Sequence, residues 1–149
     1  MERRRWRVFL DTSALIAGII STTGAACEVL RLCEAGGVEL LVSRQVLTEA
    51  DRNISEKLPA LVTDYRRWIH HLSPILVEDP SRKEVAEAAR VIHAKNAPIL
   101  AAAMNAQADY LITWDIRHFH KSAVMKAVRF KVMTPGEFLE EFRRSLPDS

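Results

Sequence analysis

Two aspartates raise the question of chemistry. Asp11 follows the apolar run "RVFL", and Asp115 follows "DYLIT" after one intervening residue. Both runs have the length and composition of strands. If they lie parallel in one sheet, the two carboxylates stand at the same edge, where open α/β sheets place their sites. Like charges held close are unfavourable unless a proton or a cation stands between them. Mg²⁺ and Mn²⁺ prefer such oxygen donors and keep waters that can act as nucleophiles. The same two positions also serve structure. Asp11 precedes Thr12-Ser13 and suits a helix N-cap, and Asp115 suits the turn "IRHF" in the same way. Residue type alone leaves both roles open.

Asn96 poses a related question. In "HAKNAPILAAAM" a charged helical stretch stops near Lys95, and a helix apolar almost all the way round follows. Asn96 is the last polar side chain before that run, so it is either an N-cap or a corner of the site without a charge. Glu49 is ambiguous from the residues alone. It lies about 130° from the centre of the stripe Val46, Leu47, Ala50, Ile54 and Leu58 on its helix, which is the place of a solvated edge charge. Asp51 and Glu56 are equally eligible.

The elements that must position these groups alternate in type. Strands are expected at "RVFL", "VELLVS", "PILVE", "DYLIT" and "VRFKVM". Between them, "AACEVLRLC" puts Ala26, Val29, Leu30 and Cys33 on one helical face, with Gly36-Gly37 as a stop. Ser43 caps "RQVLTEADRNISEKL". Pro59 opens a helix with Leu61, Tyr65, Trp68 and Leu72 on its apolar side. Asp79-Pro80 starts a helix carrying Val85, Ala88, Ala89 and Ile92. Thr134, Pro135 and Glu137 form a capping box for "TPGEFLEEF". Alternation of this kind predicts a mostly parallel sheet of about five strands with helices on both faces.

Bulk properties narrow the class. The chain has 149 residues, 48% hydrophobic and 27% charged, with a net charge of +2. This is ordinary globular composition, expected to form one domain over residues 1–149. So small a net charge neither requires nor excludes a nucleic-acid partner. Cys27 and Cys33 fall in one predicted helix with about 9 Å of rise between them, too far apart for a disulfide. Free thiols suit the cytoplasm. The opening "MERRRWRVFL", with "ALIAGII" behind it, has the outline of a signal peptide, but Asp11-Thr12-Ser13 interrupts it. No apolar run reaches the 18 or more residues that span a bilayer, so no membrane role is expected.

Other chemistries find no support. There is no Gly-rich dinucleotide fingerprint and no P-loop. His70-His71 are helical neighbours that point in different directions, so they form no metal pair. "DIRHFHKS", with Arg117, His118, His120 and Lys121, and "ERRRWR" read as phosphate-holding clusters or as plain solvated charge, the second being commoner.

The segments "FLDTSALIAGIIS", "LLVSRQVLTEA" and "APILAAAMNAQADYLITWDIRHF" together resemble a PIN domain of the VapC-like kind found as toxins of bacterial and archaeal toxin–antitoxin pairs. The resemblance runs from about Val8 to Phe138. No short motif is specific by itself, but the ordered set is. It implies a three-layer α/β/α sandwich and a metal-dependent endoribonuclease using Mg²⁺ or Mn²⁺. The family's acidic positions fall on Asp11, Glu49, Asn96 and Asp115, and this correspondence raises Glu49 above Asp51 and Glu56. Thr12, Ser13 and Thr113 match its small hydroxyl residues near the cluster. RNA is then the substrate, an antitoxin protein the partner, and a homodimer the expected assembly.

Asn96 departs from the family pattern, leaving three carboxylates where four are usual. The expected function is therefore a ribonuclease in which Asp11, Glu49 and Asp115 hold the metal, weakened by Asn96. Arg44, Lys95, Arg117 and Lys121 are the candidates to bind flanking phosphates. The main alternative is a non-catalytic PIN scaffold that binds RNA or a partner protein. A phosphatase using Asp11 as nucleophile is a third and weaker reading.

Overall fold

A computed structural model describes residues 4–147. Five strands form one sheet: β1 (Arg7–Leu10), β2 (Glu39–Val42), β3 (Ile75–Leu76), β4 (Tyr110–Ile112) and β5 (Lys131–Met133). Their order is β3-β2-β1-β4-β5, and every pairing is parallel. Between and after them run α1 (Thr12–Ile20), α2 (Ala25–Glu34), α3 (Arg44–Lys57), α4 (Val62–Leu72), α5 (Arg82–Ala88), α6 (Ala97–Asn105), α7 (Ile116–Phe119), α8 (Ser122–Ala127) and α9 (Pro135–Ser145). A single 3₁₀ turn, Pro59–Leu61, leads into α4. The fold is the expected α/β one.

Parallel strands need crossovers, and right-handed crossovers fix which face each helix covers. The chain steps outward from β1 to β2 to β3, then returns past β1 to β4 and β5. The two directions of travel put the intervening helices on opposite faces, giving three layers. The central strands, covered on both sides, therefore carry near-continuous apolar side chains. Val8, Phe9 and Leu10 are fully buried, as are Leu41, Leu111 and Ile112. The turning point lies between β1 and β4, where a parallel sheet opens a crevice at its carboxyl edge.

Local chemistry sets most of the boundaries. Ser43 Oγ accepts from Val46 N–H at the start of α3. Thr134 and Glu137 cap α9 reciprocally, as the sequence requires. Gly36, at φ +84°, ends the α2 turn in a conformation that suits glycine. Several boundaries differ from expectation. "PILVE" contracts to a two-residue edge strand, with Ile75 and Leu76 exposed, because β3 has a neighbour on one side only. The cap of α5 is Ser81, in a capping box with Glu84, and not Asp79; Pro80 sits before the cap. That helix also stops at Ala88, so Ala89 and Ile92 follow it in turns.

The basic N-terminal run is partly structural. Trp6 packs against Tyr110 with ring centroids 5.0 Å apart, and Tyr110 meets Phe138 at 5.1 Å. Arg4 pairs with Asp109 and Arg5 with Glu39. Glu2 and Arg3 lie outside the described residues. Among those residues both cysteines are free thiols. Among the described residues no helix is by itself long and apolar enough to cross a membrane; α1 and α2 reach that length only as a pair bent by 91°.

Two glycines give opposite expectations. A Cβ on Gly18 would stand 3.0 Å from the Ala26 carbonyl oxygen and 2.7 Å from a Leu30 methyl, where α1 crosses α2. Gly18→Val therefore lowers stability by about 1–3 kcal/mol through overpacking. A Cβ on Gly136 meets nothing within 4 Å. Gly136→Ala in the first turn of α9 raises stability by up to about 1 kcal/mol. Urea denaturation of the two variants checks the signs.

Candidate functional site

The candidate site is built on Asp11. It ends β1 and occupies the N-cap of α1, where its Oδ1 accepts from Ala14 N–H at 2.9 Å and from the Ser13 hydroxyl at 2.7 Å. Its Oδ2 accepts from the Thr113 hydroxyl at the end of β4. Thr113 Oγ1 in turn accepts from Asp115 N–H at 2.8 Å, and Ser13 Oγ from Trp114 N–H at 3.0 Å. These bonds sew the ends of β1 and β4 together. The capping role and the site role fall on the same carboxylate.

Glu49 arrives from α3. Its Oε2 accepts from the Thr12 hydroxyl at 2.8 Å, and its Oε1 from the Gln45 amide at 2.8 Å. Asp51, by contrast, takes both of its close bonds from Arg66, away from the sheet edge. Asp115 accepts no capping bond from α7. Its carboxylate faces the ring of His118, whose Nδ1 lies 2.8 and 3.0 Å from the two oxygens.

Asn96 stands at the start of α6. Its backbone carbonyl accepts from Leu100 N–H, but its side chain makes no capping bond. Its φ of −96° and ψ of −7° are already helical, whereas a capping side chain needs extended backbone there. The side chain lines an open cleft of about 370 Å³ that also takes in Asp11, Thr12, Ser13, Glu49 and Asp115.

The cleft has a cationic rim as well as an acidic floor. Arg52, Lys57 and Lys95 line it, together with Asn53 and Glu56. Sequence reading passed over Arg52, Asn53 and Lys57. The signal was available, because positions 49, 52, 53 and 56 share one side of a helix. Of the four cations expected to meet phosphate, only Lys95 lines this cleft. Arg44 pairs with Asp79 at 3.3 Å in a neighbouring groove that also includes Pro98. Arg117 is exposed on α7, and Lys121 is exposed just before α8.

Electrostatics at Asp11 are unusual for an aspartate. Burial pushes its carboxyl above the ordinary 3.8, and the nearby Asp115 charge adds to that push. Hydrogen bonds from Thr113, Ala14 and Ser13 oppose it without cancelling it. The ionised site thus holds negative charge that the protein incompletely offsets. Among the described residues no three His, Cys, Asp or Glu side chains stand close enough to grip a metal ion together. An all-oxygen donor set spread around an open cleft does fit a hard cation that keeps part of its water shell, as Mg²⁺ does.

The fold and the cleft define a three-layer α/β sandwich with an acidic crevice at its topological switch point. The family profile described as PIN domain matches residues 7–117, and the chain belongs to the PIN domain family. Among solved structures it is similar to PAE2754 from Pyrobaculum aerophilum, with a TM-score of 0.60 and 18% identity over 94% of this chain and 97% of that one. It is also similar to VapBC2 from Rickettsia felis, solved bound to a DNA fragment from the promoter (TM-score 0.62, 16% identity, 85% and 96% covered). A third is FitAcB from Neisseria gonorrhoeae (TM-score 0.58, 15% identity, 87% and 98% covered). At these identities the likeness is one of fold. Comparison with curated proteins gives no match.

Asp11→Asn tests the electrostatic reading. A raised folded-state pKa means that ionised Asp11 opposes folding. The penalty is absent below 3.8, where both states are protonated, and grows as pH rises from 3.8 through the folded value. In metal-free buffer, the stability of Asp11→Asn relative to the parent therefore rises from pH 3.5 to pH 7.5. Urea melts at the two pH values decide it, and a relative stability that falls over that interval refutes the assignment.

Proposed function

We propose that the chain is a metal-dependent endoribonuclease: one PIN domain spanning residues 1–149, acting in the cytoplasm as the toxin of a toxin–antitoxin pair. PIN domains are generally nucleases. The observation that carries the reading is the convergence of Asp11, Glu49, Asn96 and Asp115 on one cleft at the sheet's switch point. An antitoxin partner and a homodimer belong to the same proposal and rest on the resemblance to the toxin branch of the family.

In this reading Asp11, Glu49 and Asp115 would hold Mg²⁺ or Mn²⁺, in part through waters that the ion keeps. Bound there, the ion supplies an activated water and offsets charge developing on the phosphodiester. Thr113 and Ser13 orient Asp11, Thr12 and Gln45 orient Glu49, and His118 orients Asp115. Lys95, with Arg52 and Lys57, holds the flanking phosphates of a single strand lying across the cleft. Arg117 and Lys121, exposed and close to Asp115 in the chain, and Arg44 in the neighbouring groove would meet phosphates further along the strand. Asn96 contributes a neutral oxygen where a carboxylate would bind the cation more tightly, and activity is correspondingly low. Asn96 is the one residue that speaks for the alternative, a non-catalytic scaffold that binds RNA or a partner protein.

Asn96→Asp separates the two. The side chain of Asn96 makes no capping bond, so exchanging it for a carboxylate little disturbs the start of α6. The added charge repels Asp11 and Asp115 without metal, and attracts the cation with it. The variant melts lower than the parent in chelator, gains more from millimolar Mg²⁺ or Mn²⁺, and cleaves single-stranded RNA faster. Asp11→Asn abolishes metal-dependent cleavage. Identical metal responses in parent and Asn96→Asp, with no cleavage by either, would leave the scaffold reading in possession.

A further inference from the structure

The opposite edge of the sheet carries a second, differently built cavity. It measures about 690 Å³, against about 370 Å³ for the acidic cleft, and lies where β1, β4 and β5 begin. Its polar walls are Arg4, Arg7, Gln107 and Arg129 besides Asp109, and its apolar walls include Met104, Val128 and Phe130. Asp109 is the single acidic residue in the lining. One of its oxygens accepts from Arg4 at 2.8 Å and the other from Arg7 N–H at 2.7 Å. Arg4 and Asp109 thus neutralise each other, and the charges of Arg7 and Arg129 remain.

Arg7 provides the second observation. Its Nε is shielded from solvent and donates to no acceptor among the described residues. A buried donor without an acceptor is costly, and more so when it is charged. The backbone beneath it is held firmly: Arg7 pairs with Glu39 in β2, and its carbonyl accepts from Asp109 N–H at 2.8 Å. The side chain therefore leaves the sheet from a fixed place beside the cavity. Helices α6 and α8 end nearby, at Asn105 and Ala127, with the negative ends of their dipoles. Each amounts to about half a charge at most, less than the two guanidinium charges left over.

We propose that this cavity binds a phosphate-bearing small molecule of mononucleotide size. Guanidinium groups meet phosphate oxygens in a planar, often bidentate arrangement. The volume lies within the range of about 300–1,000 Å³ typical of small-molecule sites. Met104, Val128 and Phe130 give the rest of the molecule an apolar wall. The site is on the amino edge of the sheet, away from the acidic cleft, and is independent of any nuclease activity.

Calorimetric titration in chelator, with AMP, inorganic phosphate and adenosine as probes, tests the proposal. AMP binds the parent, Arg129→Gln weakens it at least tenfold, Lys95→Gln in the acidic cleft leaves it unchanged, and adenosine does not bind. Arg129 is exposed, so its replacement leaves the fold intact, and a cooperative melt of the variant checks this. AMP tighter than phosphate supports an organic phosphate as the ligand; equal affinity overturns the mononucleotide-sized ligand. Three results overturn the site: no binding by either phosphate at 10 mM, adenosine binding as well as AMP, or loss of AMP binding in Lys95→Gln with Arg129→Gln unaffected.

Discussion

The Asp11 carboxylate is the constraint on which the rest of the carboxyl edge depends. It is buried, and three donors from two parts of the chain converge on it. Without them an ionised group at the end of β1 would be strongly disfavoured. With them, the first turn of α1 is capped and β1 is tied to the residue that follows β4. Because Thr113 also accepts from Asp115 N–H, placing Asp11 places the backbone of Asp115 as well. One desolvated charge thereby sets the geometry of both aspartates.

Helix direction makes this crowding tolerable. Asp11, Asn96 and Asp115 each occupy the N-cap position of a helix, α1, α6 and α7. Helix N-termini present unpaired N–H groups and a partial positive charge, which favours carboxylates at those positions. A parallel sheet with right-handed crossovers brings such termini together at its carboxyl edge. The effect is strongest at α1, where the bond to Ala14 is made, and weak at α7, which has a single turn. At α6 the positive end meets a neutral side chain that makes no capping bond.

Much of this was legible in the sequence, for a specific reason. Strand ends in an α/β chain are marked by an apolar run followed by a polar residue, so Asp11 and Asp115 could be placed from their neighbours alone. Ser43 and the Thr134–Glu137 capping box were legible because they are local. The position of Glu49 was not. Helical periodicity puts it on a solvated edge, and only the packing of α3 against α1 turns that edge toward Thr12. Family resemblance singled out Glu49 where periodicity could not. Arg44 failed in the opposite way, since one position along a helix is enough to point a side chain into a different groove.

Asn96 shows why local pattern and site chemistry must be separated. "Asn-Ala-Pro" before an apolar helix reads as a cap, and the residue does stand at the cap position. The preceding backbone is already turning, with Ala97 N–H bonded to the His93 and Ala94 carbonyls. This turn carries Asn96 into helical φ/ψ and takes its amide out of reach of the α6 N–H groups. A residue chosen for capping would be poorly used there. A residue facing the cleft would not be, because the same geometry that prevents capping leaves its oxygen free. The choice between asparagine and aspartate at position 96 therefore bears little on whether α6 forms. It bears on how much negative charge the cleft holds beside Asp11, whose carboxyl is already pushed upward by burial and by Asp115.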